Sequence, residues 1–361
     1  MVDYKSTGVD AAKKEGSLQR LLEHVNRTFD FNVCRPLLPI GYFANIIDLR
    51  PAGFPLGIAF STDGVGTKLL VAEMIEKYDT VGIDCVAMNV NDILCVGATP
   101  ISMVDYIAVS EAKPALLEQV GIGLARGCEL AGVNLSGGEL AQVAELMAQK
   151  PGKVSFDIIG TAIGTIDPAK IIVGEHLEEG DILIGFESSG LHSNGYTLAR
   201  KICFEIGKFA PDRHFDELKR TLIEELLEPT RIYVKEVLQI LNEVPVKALF
   251  HITGDGFFNL TRTAKAVGYK IEFLPEIPPI FHLLQKTGRV SPAEMFRVFN
   301  MGIGFALVVP PDSDYLRMVQ AITSAAGYRS YRLGSVTCDP ERTIVLEPVS
   351  LRGRAGRFEA L

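Results

Sequence analysis

Hydrophobic positions recur along this chain at alternately helical and extended spacing, so strands and helices should follow one another through most of its length. Leu18, Leu21, Leu22 and Val25 predict a helix over Ser17 to Arg27, ahead of a Gly- and Pro-containing stretch at Pro36 to Tyr42. Leu56 to Ser61 reads as a strand and Leu69 to Ile75 as a helix, joined by a glycine loop. Ile83, Val86, Ala87, Val90, Ile93 and Leu94 predict a helix over Val81 to Val96, stopped by Gly97-Ala98-Thr99-Pro100, and Ile101 to Val109 follows as a strand. Pro114 to Ala131 is the clearest amphipathic helix, with Leu116, Val120, Leu124 and Cys128 four residues apart and Gly132 as its stop. Val154 to Ile166 is a strand. The punctuated stretch Asp167 to Gly180 is the expected cut between two domains, residues 1–170 and 171–361. Beyond it the pattern predicts a strand at Ile182 to Phe186, helices at Thr197 to Ile206 and Thr230 to Leu241, strands near Ala248, Ile271, Phe305 and Tyr331, and short helices near Pro279 and Ser291. The tail after Leu346, with Arg352, Arg354 and Arg357, is expected to be solvated and mobile.

The length of 361 residues also asks for two domains, and a chain that is 47% hydrophobic and 22% charged has the material for a large core. Its net charge of −8 offers no general attraction to nucleic acid or anionic membrane, so a phosphorylated ligand must be held by local chemistry. No uncharged apolar run reaches the ~18 to 20 residues of a membrane span, and the first residues lack a secretory apolar core, so a cytoplasmic protein is expected. Six scattered cysteines without a C-x-x-C pair read as free thiols, mostly buried.

Three loops concentrate chemistry in the first half. In Ser61-Thr62-Asp63-Gly64-Val65-Gly66-Thr67-Lys68, Gly64 and Gly66 would let backbone N–H groups approach a phosphate, Lys68 offers a charge and Asp63 a cation ligand. An ordinary glycine turn is the competing reading, and the Walker A spacing is absent. Asn89, Asn91 and Asp92 interrupt an apolar helix. They either face solvent or meet a partner such as a cation. Gly137-Gly138-Glu139 could add a third carboxylate, giving Asp63, Asp92 and Glu139 as a set suited to Mg²⁺. In the second half, His192-Ser193-Asn194-Gly195 and His251-Ile252-Thr253-Gly254 place imidazoles among hydroxyl and amide donors, suited either to phosphate binding and proton transfer or to a structural role. Gly121-Ile122-Gly123, within the amphipathic helix, reads as helix packing and not as a dinucleotide loop.

These motifs, with Gly82-Ile83-Asp84, Pro229-Thr230-Arg231-Ile232-Tyr233-Val234-Lys235, the N-terminal Tyr4 to Asp10 and Phe299 to Gly304, occur in the order of a known family. The chain resembles phosphoribosylformylglycinamidine cyclo-ligases, also called AIR synthetases, over residues 4 to about 346. The resemblance implies an α/β and α+β two-domain fold. The N-terminal ATP-binding domains of a homodimer would share a β-barrel backed by helices, and a C-terminal α/β domain would close the cleft. It implies ATP and Mg²⁺ as cofactors, a small-molecule nucleotide substrate, and ring closure of formylglycinamidine ribonucleotide to aminoimidazole ribonucleotide in purine synthesis. By the same resemblance Lys68, His192 and His251 would be catalytic. Asp63, Gly64, Gly66, Thr67, Lys68, Asn91, Asp92, Gly137 and Gly138 would hold nucleotide, and His192, Ser193, Asn194 and Thr253 substrate.

The chain departs from the family at Gln142, where the family has a second loop carboxylate, at Asp255 in place of glycine, and around Leu22 and Glu23, where a family lysine has no counterpart. These departures leave two alternatives open. One is an ATP-dependent phosphotransferase of the same superfamily, such as thiamine-monophosphate kinase or selenophosphate synthetase; the other is a catalytically silent nucleotide-binding paralogue.

Overall fold

Why the chain makes two sheets is plain from its strand periodicities, and a computed structural model describes them over residues 11–147 and 154–361. The Tyr4 to Asp10 motif lies outside the described residues. After helix α1 (Ala11–Val25), strands β1 (Asn45–Asp48), β2 (Gly57–Gly64), β3 (Thr99–Val109), β4 (Asn134–Gln142) and β5 (Phe156–Ile166) pair in the order β1-β2-β5-β3-β4. All these pairings are antiparallel except β3 with β4. In β5 the odd and even positions separate cleanly, with Phe156, Ile158, Ala162 and Ile166 buried. That buried side receives helix α3 (Val81–Leu94), which follows α2 (Leu69–Ile75). The approach is close: a Cβ at Gly160 would lie 2.6 Å from Asn89 Nδ2, and one at Gly164 2.7 Å from Ile93 Cγ2. Helix α4 (Pro114–Ala131) packs on α3 through backbone contact, since a Cβ at Gly82 would sit 2.2 Å from the Leu124 nitrogen and one at Gly123 2.7 Å from the Asp79 oxygen. Gly123 thus serves helix packing, as its place in the amphipathic pattern suggests. The opposite face of the sheet stays accessible, with Phe60, Val104 and Tyr106 exposed at 36%, 43% and 42%.

The second sheet contains β6 (Ile182–Glu187), β9 (Ala248–His251), β10 (Gly268–Ile271), β11 (Ile303–Val309), β12 (Ser330–Thr337), β13 (Ile344–Leu346), β14 (Leu351–Arg354) and β15 (Arg357–Ala360), in the order β15-β14-β13-β10-β12-β6-β11-β9. A two-stranded ribbon of β7 (His214–Phe215) and β8 (Arg220–Thr221) stands apart. Helices α5 (Tyr196–Arg200, continued by a π-helical turn to Ile206), α6 (Leu222–Leu226), α7 (Val234–Glu243), α8 (Pro279–Gly288), α9 (Pro292–Val298) and α10 (Ser313–Ala325) complete the second half. β11 is buried at every position and β6 at all but Glu187, as central strands with both faces covered must be.

Three expectations are corrected and one helix is added. Gly137-Gly138-Glu139 is not a loop but the middle of β4. The helix anticipated from Thr230 starts at Val234, because Thr230 and Tyr233 are tied to side chains of α3. Helix α10 was not anticipated at all. The tail is ordered as the hairpin β14–β15: its arginines are exposed, but Leu351 and Phe358 are buried and the Phe358 ring lies 4.5 Å from that of Phe258. Among the described residues no helix is long and apolar enough to cross a membrane.

Candidate functional site

Helix α3 runs between the first sheet and the second half of the chain, and its polar residues all find partners there. Asp84, fully buried, accepts hydrogen bonds at Oδ1 from Thr230 N (2.7 Å), Thr230 Oγ1 (2.7 Å) and Ser193 Oγ (3.1 Å). Lys68 Nζ lies 2.9 and 2.8 Å from the two oxygens of the same carboxylate and donates to the carbonyls of His192 (3.2 Å) and Glu228 (2.6 Å). A buried ion pair is tolerable only when further hydrogen bonds support it, and Asp84 Oδ1 and Lys68 Nζ draw theirs from the second half of the chain, while Asp84 Oδ2 has only the lysine beside it. Burial pushes the Lys68 ammonium down from its ordinary pKa, and Asp84 opposes that shift. The reading of Lys68 as an accessible phosphate-binding cation is therefore corrected: its ammonium is sealed at the junction.

Ahead of Lys68, the expected phosphate loop is the end of β2 followed by a 3₁₀ turn at Gly66–Lys68. Gly66 adopts φ +74°, which only glycine takes without strain, and Gly64 N donates to Asp63 Oδ1 at 2.8 Å. Asn89 holds the loop from α3, accepting from Asp63 N (2.9 Å) and donating to Asp63 O (3.0 Å). Thr67 Oγ1 reaches Thr197 Oγ1 of α5 at 3.1 Å, a second tie across the junction. Asn91 is likewise engaged, donating to Arg231 O (2.9 Å) and accepting from Tyr233 N (3.1 Å).

Asp92 and His251 form a pair, with Oδ1 2.8 Å from Nδ1. The carboxylate places the imidazole proton on Nδ1, which leaves Nε2 as the basic atom, buried and without a partner among the described residues. His192 differs. Burial holds its imidazole well below the usual pKa, helped by the nearby His251, Lys68 and Arg231, and Ser189 N donates to its Nε2 at 3.1 Å. This neutral, backbone-locked ring sits under β11, where a Cβ at Gly304 would lie 2.3 Å from it. The ring is held at Nε2, while its Nδ1 is buried without a partner among the described residues. Asn194 and Gly254 approach each other, and Thr253 is half-buried 3.5 Å from Asn259 Oδ1.

Glu139 does not join this assembly. It pairs in register with Tyr106 on the accessible face of the sheet, whereas Asp63 pairs with Gly160 on the helix-covered face. With β5 and β3 between their strands, about 14 Å separates their backbones at the usual strand spacing. Among the described residues no three His, Cys, Asp or Glu side chains group as a metal cage. The carboxylate that does share Asp63's row is Asp105, opposite Gly160 and Gly138. A Cβ at Gly138 would lie 1.7 Å from Asp105 Oδ1, so this glycine makes room for that side chain. Burial raises the Asp105 pKa. Sequence reasoning passed over Asp105, although a carboxylate at an inward position of an alternating strand is a usable signal; it also quoted Asp84 without assigning it a role.

Known proteins resemble this chain over most of its length. Residues 46–166 match the family described as AIR synthase related protein, N-terminal domain, and residues 178–347 match its C-terminal domain. The chain is 43% identical over 339 residues to a phosphoribosylformylglycinamidine cyclo-ligase of Methanothermobacter thermautotrophicus, covering 93% of this chain and 95% of the relative. A cyclo-ligase of Pyrococcus horikoshii is 42% identical over 344 residues, 95% of this chain and 97% of the relative. Among solved structures, the thiamine monophosphate kinase AaThiL complexed with AMPPCP and TMP has a TM-score of 0.59 at 16% identity, over 90% of this chain and 92% of that one. HypE of E. coli, a hydrogenase maturation protein, has a TM-score of 0.54 at 17% identity over 84% of both chains. The solved structures share the fold, and the sequence relatives decide within it: this chain belongs to the phosphoribosylformylglycinamidine cyclo-ligase family.

Proposed function

We infer that this chain is an ATP-dependent cyclo-ligase that converts formylglycinamidine ribonucleotide to aminoimidazole ribonucleotide, releasing ADP and phosphate. Identity of 42–43% that runs through both halves carries the reading, and the junction where the family's motifs converge supports it. An amide oxygen is a poor leaving group. Transfer of the γ-phosphoryl group to it creates a good one, and attack by the amidine nitrogen on the same carbon then closes the ring and expels phosphate.

In this reading the Asp63 to Thr67 segment presents the Gly66 N–H and the Thr67 hydroxyl to the nucleotide phosphates, while the Gly64 N–H stays with Asp63. Mg²⁺ shared with those phosphates would neutralise charge on them; one or two carboxylates suffice for such a cation, and Asp63 beside the loop fits that role. The Asp92-oriented His251 offers Nε2 to accept the proton that the attacking nitrogen loses. Asn194 and Thr253 line the same side of the junction and would orient the substrate. Lys68, His192 and Ser193 act by fixing the junction. Residues 1–170 would bind ATP and form a homodimer through the accessible sheet face, and residues 171–361 would close over the substrate.

Incubation of the purified protein with ATP, Mg²⁺ and formylglycinamidine ribonucleotide should yield aminoimidazole ribonucleotide and ADP in equal amounts. ADP without the imidazole would move the protein to the superfamily's kinases, and no turnover of either would make it a silent paralogue. Asp63→Asn should retain the fold by circular dichroism and lose at least ~100-fold in kcat.

A further inference from the structure

A cavity of about 360 Å³ opens on the far side of the Thr230 to Tyr233 segment, lined by Ser189, Arg231, Lys235 and Tyr328 and bordered by Glu228 and Glu236. Arg231 is half-buried and its guanidinium stacks on the Tyr328 ring at 4.6 Å. No acceptor meets Arg231 Nε among the described residues, and the Tyr328 hydroxyl, on a residue only 5% exposed, has no partner either. Burial keeps this phenol protonated far above its usual range, so it can serve as a donor at any working pH.

The N-terminus of α7 adds to these donors. No side chain caps the helix, and its first N–H groups have no intrahelical acceptor. Asn91 fixes the approach to it, gripping Arg231 O and Tyr233 N with one amide. The two acids do not cancel this charge: Glu228 is already paired with Arg220 at 2.5 Å, which leaves Arg231 and Lys235 against Glu236 alone. Unsatisfied donors, a planar guanidinium and a free helix N-terminus around one cavity are the complement of a tetrahedral oxyanion.

We propose that this cavity binds a phosphate-class dianion, either a phosphate monoester or inorganic phosphate, through Arg231, Lys235 and the first turn of α7. Neither group takes part in the Asp63 loop or the Asp92–His251 pair. If the anion is the monoester of the ribonucleotide substrate, the site deepens the cyclo-ligase reading and rests on it. If it is free phosphate, the site stands without that reading.

The test is calorimetric titration of the full chain with inorganic phosphate in the absence of nucleotide and divalent cation. Phosphate should bind, and Arg231→Gln and Lys235→Gln should each weaken it at least tenfold; Lys235 is exposed, so its replacement leaves the packing intact. Absence of binding, or equal binding by the parent and both variants, overturns the proposal whether or not the protein makes aminoimidazole ribonucleotide. Steady-state kinetics then distinguish the sources. A tenfold rise in KM for formylglycinamidine ribonucleotide in Lys235→Gln, with KM for ATP unchanged, identifies the substrate's own phosphate; unchanged KM values alongside lost phosphate binding identify a separate anion.

Discussion

Two residues that chemistry would pick out first, Lys68 and His192, turn out to be buried, the lysine among acceptors from both halves and the imidazole held at Nε2. A lysine after two glycines looks like an anion ligand, and nothing local announces that its acceptors lie 124 and 160 residues further along the chain. Asp84 carried a usable signal that went unassigned, because a carboxylate in an apolar helix must have a partner. The Asp92–His251 pair needed the fold, since 159 residues separate its members. His192 yields a prediction at this scale. An unfolded imidazole titrates near 6.5, while the buried ring stays neutral well below that, so in acid the unfolded chain binds the additional proton. Stability should fall as pH drops below about 6.5, by up to about 1.4 kcal/mol per pH unit from this residue. Urea midpoints at pH 7 and pH 5 should therefore differ less in His192→Gln than in the parent, and an equal difference would reassign the slope to other groups.

Among the elements, the amphipathic α4 and the alternating β2, β3 and β5 were readable because one period and one buried face define each of them. The short and edge elements were not. β4 carries a Gly-Gly pair and is exposed along most of its length, so it lacks the alternation that marks a half-buried strand. The β14–β15 hairpin hides two inward apolar side chains, Leu351 and Phe358, among arginines. Glycines in α4 show how element and packing separate. Gly121 faces open space, and alanine there should stabilise the chain by up to about 1 kcal/mol through helix propensity. Gly123, two residues on, meets the Asp79 oxygen at 2.7 Å, and alanine there should cost about 1–3 kcal/mol by forcing α3 and α4 apart. Thermal unfolding of the two variants checks both signs, and matching shifts would refute the close α3–α4 contact.

For the whole molecule, the accessible face of the first sheet is the apolar surface that the fold leaves uncovered. Phe60, Val104 and Tyr106 expose rings and branched carbons on one sheet face, and exposed apolar patches often mark interaction sites. Sedimentation should therefore give twice the 39.3 kDa chain mass for the parent and the single mass for Tyr106→Arg; one mass shared by both would remove this face from any interface. The Lys68–Asp84 junction has a different consequence, in the order of synthesis. The pair leaves the ribosome early, yet the Glu228 carbonyl that completes the lysine's shell is 160 residues behind. At 5–20 residues per second, that is a wait of roughly 8 to 30 s. During it, the nascent first half carries a cation and an anion that can either stay hydrated or be buried incompletely. The half with the Asp63 to Thr67 segment is therefore finished by the half that follows it, and translation itself sets when the junction can first exist.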